Sequence, residues 1–129
     1  MLSSMGVRKN PERFISQSKG TIPEIDGLLL DKPELSEAYI NTIGESFRSG
    51  ISGTNHEASL YTRPWHFRLQ DITAEVHLWH GELDRNVPIS VGRYIADAIP
   101  DCRFILLKDE AHISLPYNHI QEILGILVA

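Results

Sequence analysis

The feature that most constrains this fold is a pair of short apolar runs separated by a segment of helical length. The first run covers residues 75–79 and the second covers residues 103–107, which is apolar on both faces. Apolar residues recur at helical spacing from about Pro88 to Pro100, and a final helical pattern begins around Pro116. This order predicts a mixed α/β fold: a parallel β-α-β unit with neighbouring strands, followed by a covering helix.

The sequence before residue 60 has a different character and predicts only helices and loops. Asn10 is a good helix cap, Pro11 suits the first turn, and Gly20 is a plausible stop. The remainder of this part is interpreted as a loop over residues 21–32, a second helix over residues 33–49 and a connection over residues 50–64.

Composition excludes several classes of protein. Hydrophobic residues make up 42% and charged residues 22% of the 129 residues, as in ordinary globular chains. The net charge of −5 does not favour binding to nucleic acid or to an anionic membrane. The single cysteine, Cys102, cannot form an internal disulfide, and neither a membrane-spanning run nor a secretory signal is recognisable. We therefore expect a cytoplasmic protein without nucleic-acid or membrane partners.

Candidate catalytic groups follow each predicted strand. Asp84 lies in the loop after the first strand, and His112 lies in the loop after the second. The carboxyl ends of neighbouring parallel strands meet at one edge of a sheet, about 4.8 Å apart, so the two side chains are expected to touch. A carboxylate that accepts a hydrogen bond from one imidazole nitrogen leaves the other nitrogen free as a general base.

The residues around this pair resemble a known family. The segment Leu-Trp-His-Gly-Glu-Leu-Asp-Arg-Asn-Val-Pro at 78–88 looks like the acid loop of the α/β-hydrolase superfamily, and Glu-Ala-His-Ile-Ser-Leu at 110–115 is similar to its histidine loop. The resemblance implies a partial α/β-hydrolase fold, with a helical cap-like segment at 1–60 and the C-terminal β-α-β-α part of the core at 61–129. It also implies hydrolysis of a small carboxylic ester or related bond by a nucleophile–His112–Asp84 triad, without cofactor or metal.

The chain departs from the family at the nucleophile, which should precede Asp84 on a G-x-S-x-G elbow. The nearest candidate, Ser52, has no second glycine at the required place and no predicted strand before it. We therefore expect the chain by itself to be inactive and to take a small-molecule substrate only when complemented by an N-terminal half. A smaller departure is Ala111, where the family usually has glycine; a positive φ there would cost about 1 kcal/mol.

Two alternatives to a hydrolase part are compatible with the sequence. An unpaired strand edge could make the chain a non-catalytic, homo-oligomeric interaction module. Metal binding by histidines is a weaker alternative, because His77 and His80 differ in parity along a strand. Glu110 and Asp109 are interpreted as surface acids, and Ser114 as a helix start rather than a nucleophile. The substrate is not determined by the sequence.

Overall fold

The computed structural model describes residues 10–48 and 50–128. The elements, in chain order, are the helices α1 (Pro11–Lys19), α2 (Glu24–Leu29), α3 (Pro33–Ser46) and α4 (Ser52–Leu60), a 3₁₀ turn (Leu69–Asp71), strand β1 (Val76–Gly81), helix α5 (Ile89–Ala98), strand β2 (Cys102–Leu107) and helix α6 (Ser114–Leu127). The residues form two compact units. One contains the described residues up to Thr21 together with Gly27–His66, and the other contains Ile22–Asp26 together with the described residues from Phe67 onward.

The second unit is built on a parallel pair of strands, as the sequence predicted. β1 and β2 pair in register from Val76 opposite Cys102 to Gly81 opposite Leu107. β1 runs beyond the predicted end at residue 79, because its last residues continue to pair with β2. The mixed α/β class, with N-terminal helices followed by β-α-β and a final helix, is confirmed.

Helices α5 and α6 contact opposite faces of the sheet. The ring of His80 on β1 lies against Gly92 of α5, so closely that a β-carbon on Gly92 would come within 2.8 Å of it. The neighbouring residue Trp79 points the other way, and its ring lies 6.1 Å from that of His119 on α6. Successive strand residues face opposite sides, so the β-α-β crossover and the final helix cover different faces.

The apolar face of α6 is less buried than its sequence pattern predicted. Ile120 is 42% exposed and Leu124 is 47% exposed, whereas Leu115 at the start of the helix is buried. Within the described residues the sheet has two strands, and a sheet of this width is too narrow to cover the whole length of the helix. The buried apolar residues of this unit lie near the carboxyl ends of α5 and β2, at Ile99 and Ala111, and at Leu115.

The N-terminal helices partly match the sequence interpretation. The side chain of Asn10 caps α1 by accepting the Arg13 amide at 3.1 Å, and the predicted second helix is present as α3. The predicted loop at 21–32 is wrong, because α2 forms there with acidic residues in its first turn and Leu29 buried.

The predicted connection at 50–64 is also wrong, because it contains α4. Its small polar residues resemble a loop in composition, but no proline interrupts the segment before Pro64. Gly50, with φ of +82°, makes the turn that separates α4 from the helix before it. No helix within the described residues has both the length and the apolar character needed to cross a bilayer.

Candidate functional site

Asp84 is held in the loop after β1 by backbone hydrogen bonds. Its Oδ1 accepts the amide of Asn86 at 2.7 Å and that of Val87 at 3.0 Å. A short acidic side chain that binds the backbone two and three residues ahead stabilises a tight turn. The side chain is only 8% exposed, and its second oxygen, Oδ2, points to the loop that follows β2.

His112 lies on that neighbouring loop and meets Asp84 as the sequence predicted. Its Nδ1 lies 2.9 Å from Oδ2 of Asp84. A charged carboxylate can only accept, so Nδ1 carries the hydrogen. The His112 side chain is 46% exposed, and its Nε2 makes no hydrogen bond to any residue that the structure describes. The ring therefore presents an open basic nitrogen to the surroundings.

The carboxyl of Asp84 is kept ionised by its surroundings. Burial raises its pKa, but hydrogen bonds from the Val87 amide, from His112 and from the Asn86 amide lower it further than burial raises it. The net effect is a pKa below the ordinary value of 3.8. A carboxylate that stays charged at neutral pH can orient the imidazole and stabilise it when it gains a proton.

Gly81 allows the two loops to approach each other. A β-carbon at this position would collide with the carbonyl oxygen of Glu110, and would lie 2.6 Å from its carbonyl carbon and 2.9 Å from the Ala111 nitrogen. Just beyond, the amide of Leu83 donates to the Glu110 carbonyl at 3.0 Å. Glycine is required here by close backbone contact, since any side chain would push the Asp84 and His112 loops apart.

His80 supports the Asp84 loop, a role that the sequence did not reveal. Its ring is buried, and Nε2 donates to the carbonyl oxygen of Val87 at 3.1 Å. The amide of the same Val87 donates to Asp84, so His80 braces the turn that holds the acid. His77 lies on the opposite face, where its Nε2 is 3.2 Å from Glu75. Among residues 10–48 and 50–128 no group of three or more potential ligands is placed to hold a metal.

Ala111 does not have the positive φ that would have strained it. Among the described residues other than glycine, only His66 has a positive φ, so Ala111 adopts a conformation open to any residue. Ala111 is 1% exposed, and its amide donates to the Oγ of Ser114 at 2.8 Å. Ser114 is buried and is the first residue of α6, which agrees with its interpretation as a helix start.

Glu110 is not a surface acid, and this interpretation is corrected. Its side chain is 12% exposed and accepts hydrogen bonds from Asn118 at 3.0 and 3.2 Å and from His119 Nε2 at 3.2 Å. Burial raises its pKa, but hydrogen bonds from Ser114, Asn118 and His119 outweigh this and lower it overall. Asp109 is exposed, as predicted. No periodic pattern marks Glu110 as buried, because its side-chain partners Asn118 and His119 lie on α6, eight and nine residues later in the chain.

Ser52 does not occupy a nucleophile elbow. It is the exposed first residue of α4, and no strand precedes it within the described part of the chain. A nucleophile elbow instead requires a sharp turn from a strand into a helix. Ser52 therefore has neither of the structural features that would activate a hydroxyl for attack.

The site thus combines a buried, ionised acid and a half-exposed histidine on loops that follow adjacent parallel strands. Such an arrangement can take up and return a proton at Nε2 of His112. Comparisons of this chain with protein-family models, with curated proteins and with solved structures found no match.

Proposed function

We propose that this chain is the acid-and-histidine part of an α/β-hydrolase-type enzyme that cleaves a small carboxylic ester or a related bond. The observation that carries the proposal is the 2.9 Å contact between Nδ1 of His112 and Oδ2 of Asp84, while Nε2 of the same ring makes no hydrogen bond to a described residue. A triad consists of a nucleophile, a histidine and an acid. His112 offers the outward-facing basic nitrogen of the second member, and Asp84 fixes the imidazole tautomer as the third member does.

The chemistry of this part follows from the atoms that it supplies. Nε2 of His112 removes the proton of an attacking hydroxyl while that oxygen forms a bond to the ester carbonyl carbon. Asp84 stabilises the resulting imidazolium. Nε2 then gives the proton to the leaving alkoxide, and the same cycle with water releases the acid and regenerates the hydroxyl.

We infer that the attacking hydroxyl comes from a second polypeptide. Ser52 is not placed as a nucleophile, and the oxyanion-binding amides of such enzymes lie next to the nucleophile. Without both, a triad retains little of its rate enhancement. We therefore expect the purified chain to be inactive until an N-terminal half with a strand–serine–helix elbow is added.

The test is complementation measured with p-nitrophenyl butyrate. An N-terminal α/β-hydrolase half with its nucleophile elbow is co-expressed with this chain, and turnover is compared with that of each half alone. Activity is expected only in the mixture, and His112→Ala is expected to abolish it. His56→Ala is the matched control, because His56 is an exposed histidine of α4. It should keep the complemented activity. Any slow background reaction of surface imidazoles with the ester should be the same in both variants.

Either of two results would contradict the proposal. Multiple turnovers by the purified chain without a second half would show that it carries its own nucleophile. Activity in the mixture that survives His112→Ala would show that the histidine does not act as the base.

A second candidate, a homo-oligomeric interaction module, is favoured by the surface of the second unit. α6 exposes apolar side chains at helical spacing: Tyr117, Ile120, Leu124 and Leu127. Within the described residues each strand also has one unpaired edge, since β1 and β2 pair only with each other. This candidate predicts a homodimer in light scattering at micromolar concentration that dissociates on Leu124→Lys. A stable monomer would contradict it.

A further inference from the structure

A buried carboxylate far from the site in sequence contacts the residues that directly follow His112. Asp26 is 1% exposed and belongs to the same compact unit as both loops. Its Oδ1 accepts the amide of Ile113 at 3.1 Å and that of Ser114 at 2.8 Å. These contacts span 87 and 88 residues of sequence, so no local pattern could have revealed them.

Asp26 supplies the cap that α6 lacks locally. The first amides of a helix have no partner inside it, and Ile113, at the cap position, makes no side-chain cap bond to them within the described residues. A negatively charged acceptor at this end also interacts favourably with the helix dipole. A carboxylate that accepts two adjacent amides makes charge-assisted hydrogen bonds, which are stronger than neutral ones.

The backbone of His112 is thereby fixed on both sides. On one side the amide of Ala111 donates to Ser114 Oγ, and on the other the amide of Ile113 donates to Asp26. The imidazole itself is 46% exposed, and the hydrogen bond to Asp84 is its one side-chain hydrogen bond among the described residues, so its direction depends on this backbone and on that bond.

We propose that Asp26 is a positioning residue, which sets the distance between His112 and Asp84 by anchoring the start of α6. Its value for catalysis rests on the proposed function, but its effect on the hydrogen bond does not. Loss of the Asp26 carboxylate leaves the Ile113 and Ser114 amides without an acceptor in a buried place, which is unfavourable. The first turn of α6 then opens more often, and His112 moves away from Asp84.

The experiment follows the ring proton of His112 by NMR in the full chain. The Nδ1 proton is observed with ¹⁵N-histidine labelling, and its exchange with water is measured for the parent, Asp26→Asn and Asp26→Ala. Asp26→Ala should accelerate exchange about tenfold to hundredfold, the factor expected when charge-assisted hydrogen bonds are lost. Asp26→Asn keeps the shape and one acceptor oxygen, so a smaller acceleration of several-fold is expected, which amounts to partial rescue.

Controls separate positioning from a general loss of stability. Asp109→Asn changes an exposed acid near the same loop and should leave the exchange rate unchanged. Backbone amide spectra of β1 and β2 report whether each variant keeps its fold; if Asp26→Ala does not fold, Asp26→Asn alone decides the outcome. Unchanged exchange of the His112 proton in a folded Asp26 variant overturns the inference. Accelerated exchange supports it even if complementation yields no esterase activity, because the NMR measurement needs no turnover.

Discussion

The unit that carries the candidate site contains an instructive comparison between Asp84–His112 and Glu110–His119. Each acid is largely buried, each has a lowered pKa, and each contacts one ring nitrogen of its histidine. The histidines differ in the second nitrogen. Nε2 of His112 is open within the described residues, whereas Nδ1 of His119 faces Glu122 at 3.3 Å.

The difference shows that an acid–histidine contact does not by itself indicate catalysis. His119 is 22% exposed, tilts against Trp79 and has an acidic group on both sides, so it serves to hold α6 on the sheet. His112 is 46% exposed and is held on one side only. A general base needs a nitrogen that can reach a substrate, and of these two histidines only His112 offers one.

The largest expected effect is on complemented activity. Asp84→Asn should lower kcat/KM by about 10³–10⁴-fold, because an amide can hold the imidazole in the wrong tautomer and cannot stabilise the imidazolium. Glu110→Gln is the matched change in the other pair and should lower it less than about tenfold, because Glu110 acts only on structure. The measurement is p-nitrophenyl butyrate hydrolysis by the complemented chain. Equal losses of kcat/KM in the two variants would contradict the assignment of a catalytic role to Asp84 and a structural role to Glu110.

The next effect concerns the packing that brings the two loops together. Gly81→Ala places a methyl group against the backbone of Glu110 and should lower the free energy of unfolding by about 3 kcal/mol. Gly125→Ala in α6 is the matched control: outside the backbone of α6 itself, no described residue lies within 4 Å of the added methyl, and the helix should gain about 0.5–1 kcal/mol. Urea unfolding measures both. A Gly81→Ala chain as stable as the parent would show that the loops can separate without cost.

These elements also show how far sequence reasoning reached. The strands, α5, α6 and the Asp84–His112 contact followed from apolar runs and from the rule that loops at the carboxyl ends of parallel strands converge. The supports of the site did not follow. His80, Asp26 and Glu110 act through contacts to backbone groups or to a helix that is distant in sequence. A single histidine or acid looks the same in sequence whether the fold buries it or exposes it.

A smaller effect is the dependence of stability on pH, in which the two pairs should behave alike. The pKa values of Asp84 and Glu110 lie below their ordinary values of 3.8 and 4.5, so folding favours their charged forms. That stabilisation is complete above the ordinary pKa values and is lost as the pH falls through the lowered ones. Urea unfolding between pH 6 and pH 3 should therefore show falling stability below about pH 4.5.

The double variant Asp84→Asn, Glu110→Gln tests this dependence. At pH 6 it should be less stable than the parent by about 2 kcal/mol, because neutral acceptors replace charged ones. The difference should shrink as the pH falls through the lowered pKa values, because the parent's carboxylates gain protons there and lose the stabilisation of their charged forms. A difference that stays constant or grows on acidification would contradict the lowered pKa values of the two acids.

The smallest effect is expected at Glu122, the outer partner of His119. Its side chain is 65% exposed, and its contact to Nδ1 is long at 3.3 Å, so Glu122→Gln should change the free energy of unfolding by less than about 0.5 kcal/mol. His119 would remain held through Nε2 by Glu110, so the substitution should not turn it into a second base. Thermal unfolding and complemented turnover check both points. Restored activity in a His112→Ala chain that also carries Glu122→Gln would contradict this prediction. It would show that His119 acts as a base once its Nδ1 loses the contact to Glu122.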